Sequence, residues 1–387
     1  MTNMRKRILS LFGTRPEAIK MAPVIKKMET LECLESHICV TAQHREMLDH
    51  VLKVFEIKPN YDLNIMSSGQ DLYDITTKAM AGIKNILFHD RPDLVLVQGD
   101  TTSAFIGALA AYYMKIPVGH IEAGLRTYDK FSPFPEEINR RLLSVLADYH
   151  FAPTAWAKSN LLQEKIPEEK IWITGNTVVD AIMLIVDRQK SAAQSNIWNK
   201  YFKETWNLTT FSEPKAHKTI LVTGHRRENF GEKFKNICYA LGEIAAKRKD
   251  TIIVYPVHLN PNVQRPVREI LKGISNIHLI DPLEYEPFVF LMNNSFIILT
   301  DSGGIQEEAP SLGKPVLLMR DTTERPEGIK SGVVKLVGTD KDAIVNETLK
   351  LLDNKSIYET MTMPLNPYGD GRAAERIVNI ILGMDTI

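Results

Sequence analysis

The chain has 387 residues, with 47 Lys plus Arg against 47 Asp plus Glu and a hydrophobic content of 44%. Such a length exceeds one ordinary core, so two domains are expected, and the balanced charge offers no single-sign field for nucleic acid or a membrane surface. The three cysteines, Cys33, Cys39 and Cys238, fit neither a disulfide framework nor a zinc site. With a basic start, Met1 to Arg7, followed by an apolar run too short for an export signal, they point to a cytoplasmic protein with buried thiols.

Short β-rich apolar runs alternate with longer helical patterns at Ile8 to Phe12, Glu35 to Thr41, Leu94 to Gln98, Val118 to Glu122, Tyr149 to Ala152 and Ile171 to Thr174. A polar, low-pattern region from Gln189 to Lys218 follows. A second series then runs through Thr219 to Thr223, Thr251 to Val257, Ile277 to Ile280, Phe296 to Thr300, Val316 to Met319 and Val333 to Leu336. Alternation of this kind means parallel strands with helical crossovers. The expectation is an α/β chain of two doubly wound, Rossmann-like domains facing across a cleft, 1–178 and 179–365, hinged near Gly175 to Ala181. An amphipathic helix in 366–387 is expected to cross back to the first domain.

Ligands of open α/β sheets bind beyond the carboxyl ends of the strands, and the polar motifs fall there. After the first run comes Gly13-Thr14-Arg15-Pro16-Glu17-Ala18-Ile19-Lys20, in which Thr14 and Glu17 form a capping box and Pro16 suits a first helical turn. A cation at that entrance opposes the helix dipole, so Arg15, with Lys20 about a turn later, reads as an anion site. Asp100 follows the third run, before Thr101-Thr102-Ser103, and taken alone reads first as an N-cap carboxylate or its neighbour. Glu122 ends its run ahead of Ala123-Gly124-Leu125-Arg126; it is either an acid–base carboxylate or the partner of Arg126 or Arg140. Pro135 opens a helix whose first turn carries Glu136 and Glu137, a placement the dipole favours in any case.

In the second half, Thr223-Gly224-His225-Arg226-Arg227-Glu228-Asn229 packs imidazole, guanidinium and carboxamide into one loop, and loops so rich in donors meet anions. His258 ends a strand and is as readily a structural histidine. Asp301-Ser302-Gly303-Gly304-Ile305-Gln306-Glu307-Glu308 takes a strand through a glycine pair into a helix, which taken alone reads equally as a junction that holds phosphate on free amides without a lysine or as an ordinary turn whose glycines only ease the bend. Arg325, in Thr323-Glu324-Arg325-Pro326, follows the next strand. No Gly-x-Gly-x-x-Gly follows the first strand, and there is no P-loop and no His-x-x-x-His pair, which argues against hydride transfer, P-loop phosphoryl transfer and a bound metal.

Together these stretches closely resemble the bacterial non-hydrolysing UDP-N-acetylglucosamine 2-epimerases. The match extends from GTRPEAIKMAP at Gly13 through TAQHREML at Thr41, GDTT at Gly99, GHIEAGLRT at Gly119 and PEEINR at Pro135 to GNTVVDA at Gly175. It continues with TGHRRENFGE at Thr223, YPVHLNPNV at Tyr255, DSGGIQEEAPSLGKPVL at Asp301 and RDTTERPE at Arg320. The resemblance implies the GT-B architecture, a homodimer, no cofactor, and interconversion of UDP-GlcNAc and UDP-ManNAc for surface polysaccharide.

It also implies roles residue by residue. Asp100, Glu122 and Glu136 become acid–base carboxylates with His225 beside them. Arg15, Lys20, His225, Ser302, Gly303, Gly304, Glu308 and Arg325 line the UDP-sugar site, Glu308 accepting from ribose hydroxyls. Phe288 stacks on uracil, and Leu283 offers only its backbone. A second, activating UDP-GlcNAc site is implied around Gln43, His44 and Glu46, with Glu137, Arg227 and His258 as neighbours.

Overall fold

Ile8, Leu9, Leu11 and Phe12 are wholly buried, as a central parallel strand covered on both faces requires. In the computed structural model, which describes residues 5–42, 45–67, 69–209, 211, 217–362 and 366–384, they lie on β1 (Lys6–Phe12). The same sheet contains β2 (Leu34–Val40), β3 (Tyr61–Asp62), β4 (Leu94–Gln98), β5 (Val118–Ile121), β6 (Tyr149–Ala152) and β7 (Ile171–Ile173). Its order is β3-β2-β1-β4-β5-β6-β7, every pair parallel. The second sheet holds β8 (Lys218–Thr223), β9 (Thr251–Pro256), β10 (Ile277–Ile280), β11 (Ile297–Thr300), β12 (Val316–Leu318) and β13 (Val334–Leu336). Its order, β10-β9-β8-β11-β12-β13, is also wholly parallel.

Strand order decides where ligands can sit. In each sheet the chain winds outward in one direction and then in the other, so the loops leaving two adjacent strands diverge and open a crevice at their carboxyl ends. The switch lies between β1 and β4 in the first sheet and between β8 and β11 in the second.

The chain packs as two compact units, Met1–Ala181 with Tyr368–Ile387, and Ile182–Pro367. The division falls inside the helix Thr177–Gln189. The C-terminal helix Ala373–Leu382 is tied into the first unit at both ends. Asp180 accepts from the amides of Ala373 at 3.2 Å and Ala374 at 2.8 Å at its positive end, and Lys6 donates to the carbonyl of Met384 at 2.7 Å at its negative end.

Two elements depart from the periodicity reading. The two residues of β3 are too few to show alternation, yet they pair with Cys39 and Val40 of β2. The stretch from Gln189 to Lys218, read as low-pattern, contains the 15-residue helix Ala192–Trp206. Ser191 caps it by accepting from the Gln194 amide at 3.3 Å, and Asn207, at φ 56°, ends it in the left-handed region. Polar residues on three sides hide its single buried stripe, where Phe202 stacks on Phe290 at 5.8 Å and meets Phe211 edge-on at 5.2 Å. No described helix is long and apolar enough to cross a membrane.

Candidate active site

In the first unit, the loop after β1 is set by a close approach. A Cβ on Gly13 would lie 2.1 Å from Thr41 Oγ1 and 2.7 Å from Ser103 Oγ, so only glycine fits. The helix Arg15–Glu29 begins immediately beyond, with Arg15 half-buried in its first turn. Among the described residues no carboxylate pairs with Arg15. A guanidinium at the positive end of a helix dipole, with no counter-charge, is relieved by an anion.

Lys20, expected to share that role, donates its ammonium to Glu122 Oε1. Gln98 Nε2 donates to the other carboxylate oxygen, and Asn176 Nδ2 donates to Oε1 at 3.1 Å. Glu122 is 8% exposed and sits at φ 66°, a left-handed conformation costing a non-glycine residue about 1–3 kcal/mol that persists only where surroundings enforce it. The two ion pairs open to it from sequence are not formed. Arg126 forks onto Glu164 at 2.8 and 2.7 Å, and Arg140 binds Asp100 at 2.5 Å and Glu137 at 3.3 Å.

Asp100 follows β4 and its backbone carbonyl accepts from Asn139 Nδ2 at 3.0 Å. The turn before it is stapled to β5: the Gly99 amide donates to the Ile121 carbonyl at 3.0 Å, and the Gly99 carbonyl accepts from buried His120 Nε2 at 2.7 Å. Glu122 Oε2 lies 3.6 Å from where a Cβ on Gly99 would stand, so the carboxylate of Glu122 borders the turn that carries Asp100. Glu136 opens the helix Glu136–Leu146, half-buried. Its neighbour Glu137 is fully buried and accepts from the amides of Thr127 and Tyr128 at 3.0 Å each, which makes it the anchor of the loop before that helix.

The second unit gathers its groups around Asp301, which is wholly buried. Its carboxylate accepts from the amides of His225 at 2.9 Å and Arg226 at 2.9 Å and from Asn229 Nδ2 at 3.2 Å, fixing the loop after β8 against the end of β11. His225 stacks on His258 at 5.4 Å between ring centroids. Burial holds its imidazole below the usual histidine range, with Asp301 pulling the other way. Neutral imidazole can both accept and donate, which suits a group facing a phosphate ester.

Ser302 stands at the N-cap of the helix Gly303–Ser311 without a side-chain cap bond, and the amides of a helix's first turn have no partner within the helix. Arg325 lies against this turn: a Cβ on Gly303 would be 2.8 Å from Arg325 Nη1, and Glu307 at 2.6 Å and Glu324 at 2.5 Å hold the guanidinium in place. Glu308, on the same helix, accepts from the Tyr285 hydroxyl at 3.2 Å. Tyr285 opens the helix Tyr285–Asn293, which carries half-buried Phe288, with Leu283 buried just before it. Arg227 and His258 are exposed. Gln43 and His44 lie outside the described residues, as does the side chain of Glu46.

Sequence reading missed the groups that hold the others. Gln98 lies outside the motifs, Asn176, Glu307 and Glu324 lie inside them without a role assigned, and Glu17 was legible only as half of a capping box. Among the described residues no cluster of His, Cys, Asp and Glu could hold a metal ion.

The family model for UDP-N-acetylglucosamine 2-epimerase matches residues 26–382. The chain is 56% identical over 379 residues to the UDP-N-acetylglucosamine 2-epimerase of Campylobacter jejuni, across 98% of each. It is 55% identical over 375 residues to that of Escherichia coli (strain K12), across 97% of this chain and 98% of the relative. The crystal structure of UDP-GlcNAc 2-epimerase from Neisseria meningitidis bound to UDP-GlcNAc aligns at a TM-score of 0.89 and 52% identity, over 98% of this chain and 100% of that one. The Methanocaldococcus jannaschii enzyme in complex with UDP-GlcNAc and UDP aligns at 0.78 and 36%, over 97% and 99%. A kitacinnamycin glycotransferase, 12% identical at a TM-score of 0.65, shares the fold alone. Two Rossmann-like domains of the GT-B class, carrying the motif set at Gly13, Gly99, Gly119, Thr223 and Asp301, place the protein among the isomerases: the chain belongs to the UDP-N-acetylglucosamine 2-epimerase family.

Proposed function

We propose that this chain interconverts UDP-GlcNAc and UDP-ManNAc without hydrolysis, by eliminating UDP and adding it back. The C2 proton of the sugar has no adjacent carbonyl to acidify it, so direct removal is prohibitive. Breaking the bond from C1 to the diphosphate oxygen develops positive charge at C1, and the C2 proton can then leave to a carboxylate. The products are 2-acetamidoglucal and UDP. Return of UDP to C1, with a proton delivered to the opposite face of C2, gives the epimer.

The observation that carries this reading is the setting of Glu122. A buried carboxylate at a strained backbone position, gripped by Lys20, Gln98 and Asn176 beside the Asp100 turn, is organised for proton transfer at a fixed point. Asp100, Glu122 and Glu136 serve as the acid–base set. Arg15 and Arg325, the imidazole of His225 and the amides at Ser302, Gly303 and Gly304 stabilise the departing diphosphate, while Glu308 takes the ribose hydroxyls and Phe288 the uracil.

The finer reading extends to supply of ManNAc units for surface polysaccharide and to a cytoplasmic setting. The free thiols support the latter, Cys39 and Cys238 buried as expected and Cys33, against expectation, exposed on the turn before β2. It extends also to a homodimer, supported by Tyr112, Tyr113, Leu142 and Val145, which are exposed on two helices packed together in the first unit. Activation by UDP-GlcNAc bound beside Arg227 and His258 is supported by the stack of His258 on His225.

Incubation with UDP-GlcNAc in deuterated water tests the central step. Deuterium should enter C2 of the recovered sugar nucleotides. A glycosyltransferase leaves C2 untouched, a hydrolysing epimerase releases free ManNAc in step with UDP, and a sensor binds without turnover.

A further inference from the structure

We propose that Glu17 is a positioning residue for this reaction: its carboxylate stitches the loop that carries Arg15 to the loop that carries Asp100. The inference rests on the epimerase reading for what the two loops do, and on geometry alone for the stitch. In a capping box the third residue's side chain accepts one bond, from the amide of the N-cap residue. Glu17 makes far more. Its Oε2 accepts from the amides of Gly13 at 3.0 Å and Thr14 at 2.8 Å and from the Thr14 hydroxyl at 2.8 Å. Its Oε1 accepts from the hydroxyl of Thr101, 84 residues away, at 2.6 Å.

Thr101 follows Asp100 directly and caps the next helix by accepting from the Ala104 amide at 3.0 Å. Asp100 is therefore held from one flank by Asn139 and Arg140 and from the other through Thr101 and Glu17. The bonded loops are those leaving β1 and β4, the two sides of the switch point. The second unit repeats the device with Asp301, a buried carboxylate that stitches the loop after β8 to the end of β11 across its own switch point.

A simple cap would sit in solvent. Glu17 is 1% exposed, and burial pushes its carboxyl up to about 7 although every donor works to lower it. Arg15 and Lys20 share its helix and Asp100 precedes Thr101; none of them hydrogen-bonds to Glu17 among the described residues. Stability alone does not explain a buried carboxylate so placed, whereas a fixed distance between Arg15 and Asp100 does.

The test uses the full chain with Glu17→Gln, Thr101→Val and Thr101→Ser, measuring C2 deuterium exchange, KM for UDP-GlcNAc and peptide hydrogen exchange. Misplacement of a reacting group by about 1 Å costs on the order of 100-fold in rate. Glu17→Gln and Thr101→Val should thus lower kcat by about 10- to 100-fold with KM within about threefold, and Thr101→Ser should restore it. Peptides spanning 13–20 and 98–104 should lose protection together in Thr101→Val. If both variants keep kcat within about twofold, or only the 13–20 peptide opens, the stitch is wrong. Absence of C2 exchange in the wild-type chain would refute the epimerase reading instead, and the paired loss of protection would still decide the role of Glu17. Should Glu17→Gln not fold, Thr101→Val carries both measurements.

Discussion

Lys20 gives its ammonium to Glu122, and the pair is nearly out of water, with side chains 12% and 6% exposed. Glu122→Gln should lower the exchange rate by about 100- to 10,000-fold, as loss of a general acid–base group does. UDP affinity by calorimetry should stay within a few-fold, because the proposed nucleotide contacts, Arg15 apart, lie on the second unit, and Glu122 is not among them.

Removing the cation is a separate experiment with a different signature. Lys20→Met leaves a buried carboxylate without its partner, which costs about 3–5 kcal/mol. Thermal unfolding of the single variants and of Lys20→Met with Glu122→Gln completes a cycle. The double variant should be more stable than the sum of the singles predicts, and strict additivity would show that the pair does not interact.

Asp301 holds His225 and Arg226 by their amides and Asn229 by its carboxamide, so its charge shapes the whole loop. Asp301→Asn turns one acceptor into a donor facing backbone N–H groups, at about 2–3 kcal/mol. UDP binding should weaken by about 10- to 100-fold by calorimetry. His225→Asn, which keeps the amide, should spare the loop and lose rate.

The glycine pair separates two causes of lost binding. A Cβ on Gly303 would meet Arg325 Nη1 at 2.8 Å, and that guanidinium is pinned by Glu307 and Glu324, so Gly303→Ala displaces an ion pair as well as any ligand. Nothing lies within 4 Å of a Cβ on Gly304. Gly304→Ala should therefore leave the melting temperature within about 2 °C, the span of a sub-kcal/mol change. If the diphosphate rests on this turn, UDP affinity should fall at least about tenfold in the same protein. Unchanged affinity would remove Gly304 from the cradle.

The sheets, their order of elements and most loops of the site were legible because parallel strands buried on both faces read as continuous apolar runs. Lys6–Phe12 and Ile297–Thr300 are of that kind. The two residues of β3 and the helix Ala192–Trp206 were not, one for brevity and one because a single aromatic stripe is lost among Asn, Lys and Gln. Within the site, motifs marked loops but not which residue in them grips which. The bond from Gln98 to Glu122 spans 24 residues and that from Asn176 spans 54, distances at which no local pattern survives. Lys20 shows the limit of motif logic: its position near Arg15 suggested an anion of the ligand, and the fold supplies one of its own.

Two buried groups give the first unit opposing responses to pH. Burial raises Glu17 from 4.5 to about 7, so the folded state holds a proton that the unfolded chain has released between those values. The stability this contributes is complete below about 4.5 and is lost as pH rises through 7, at most about 3 kcal/mol. Burial lowers His150 from 6.5 to about 3, so the unfolded chain takes up a proton that the folded state refuses. Its contribution is complete above about 6.5 and is lost as pH falls toward 3, at most about 4–5 kcal/mol. Unfolding measured from about pH 5 to 8 separates them by difference. Wild type should lose stability relative to Glu17→Gln as pH rises through this range, and relative to His150→Phe as pH falls through it. A pH-independent difference for either variant would mean that the group titrates alike in the folded and unfolded chain, and that its burial is relieved in solution.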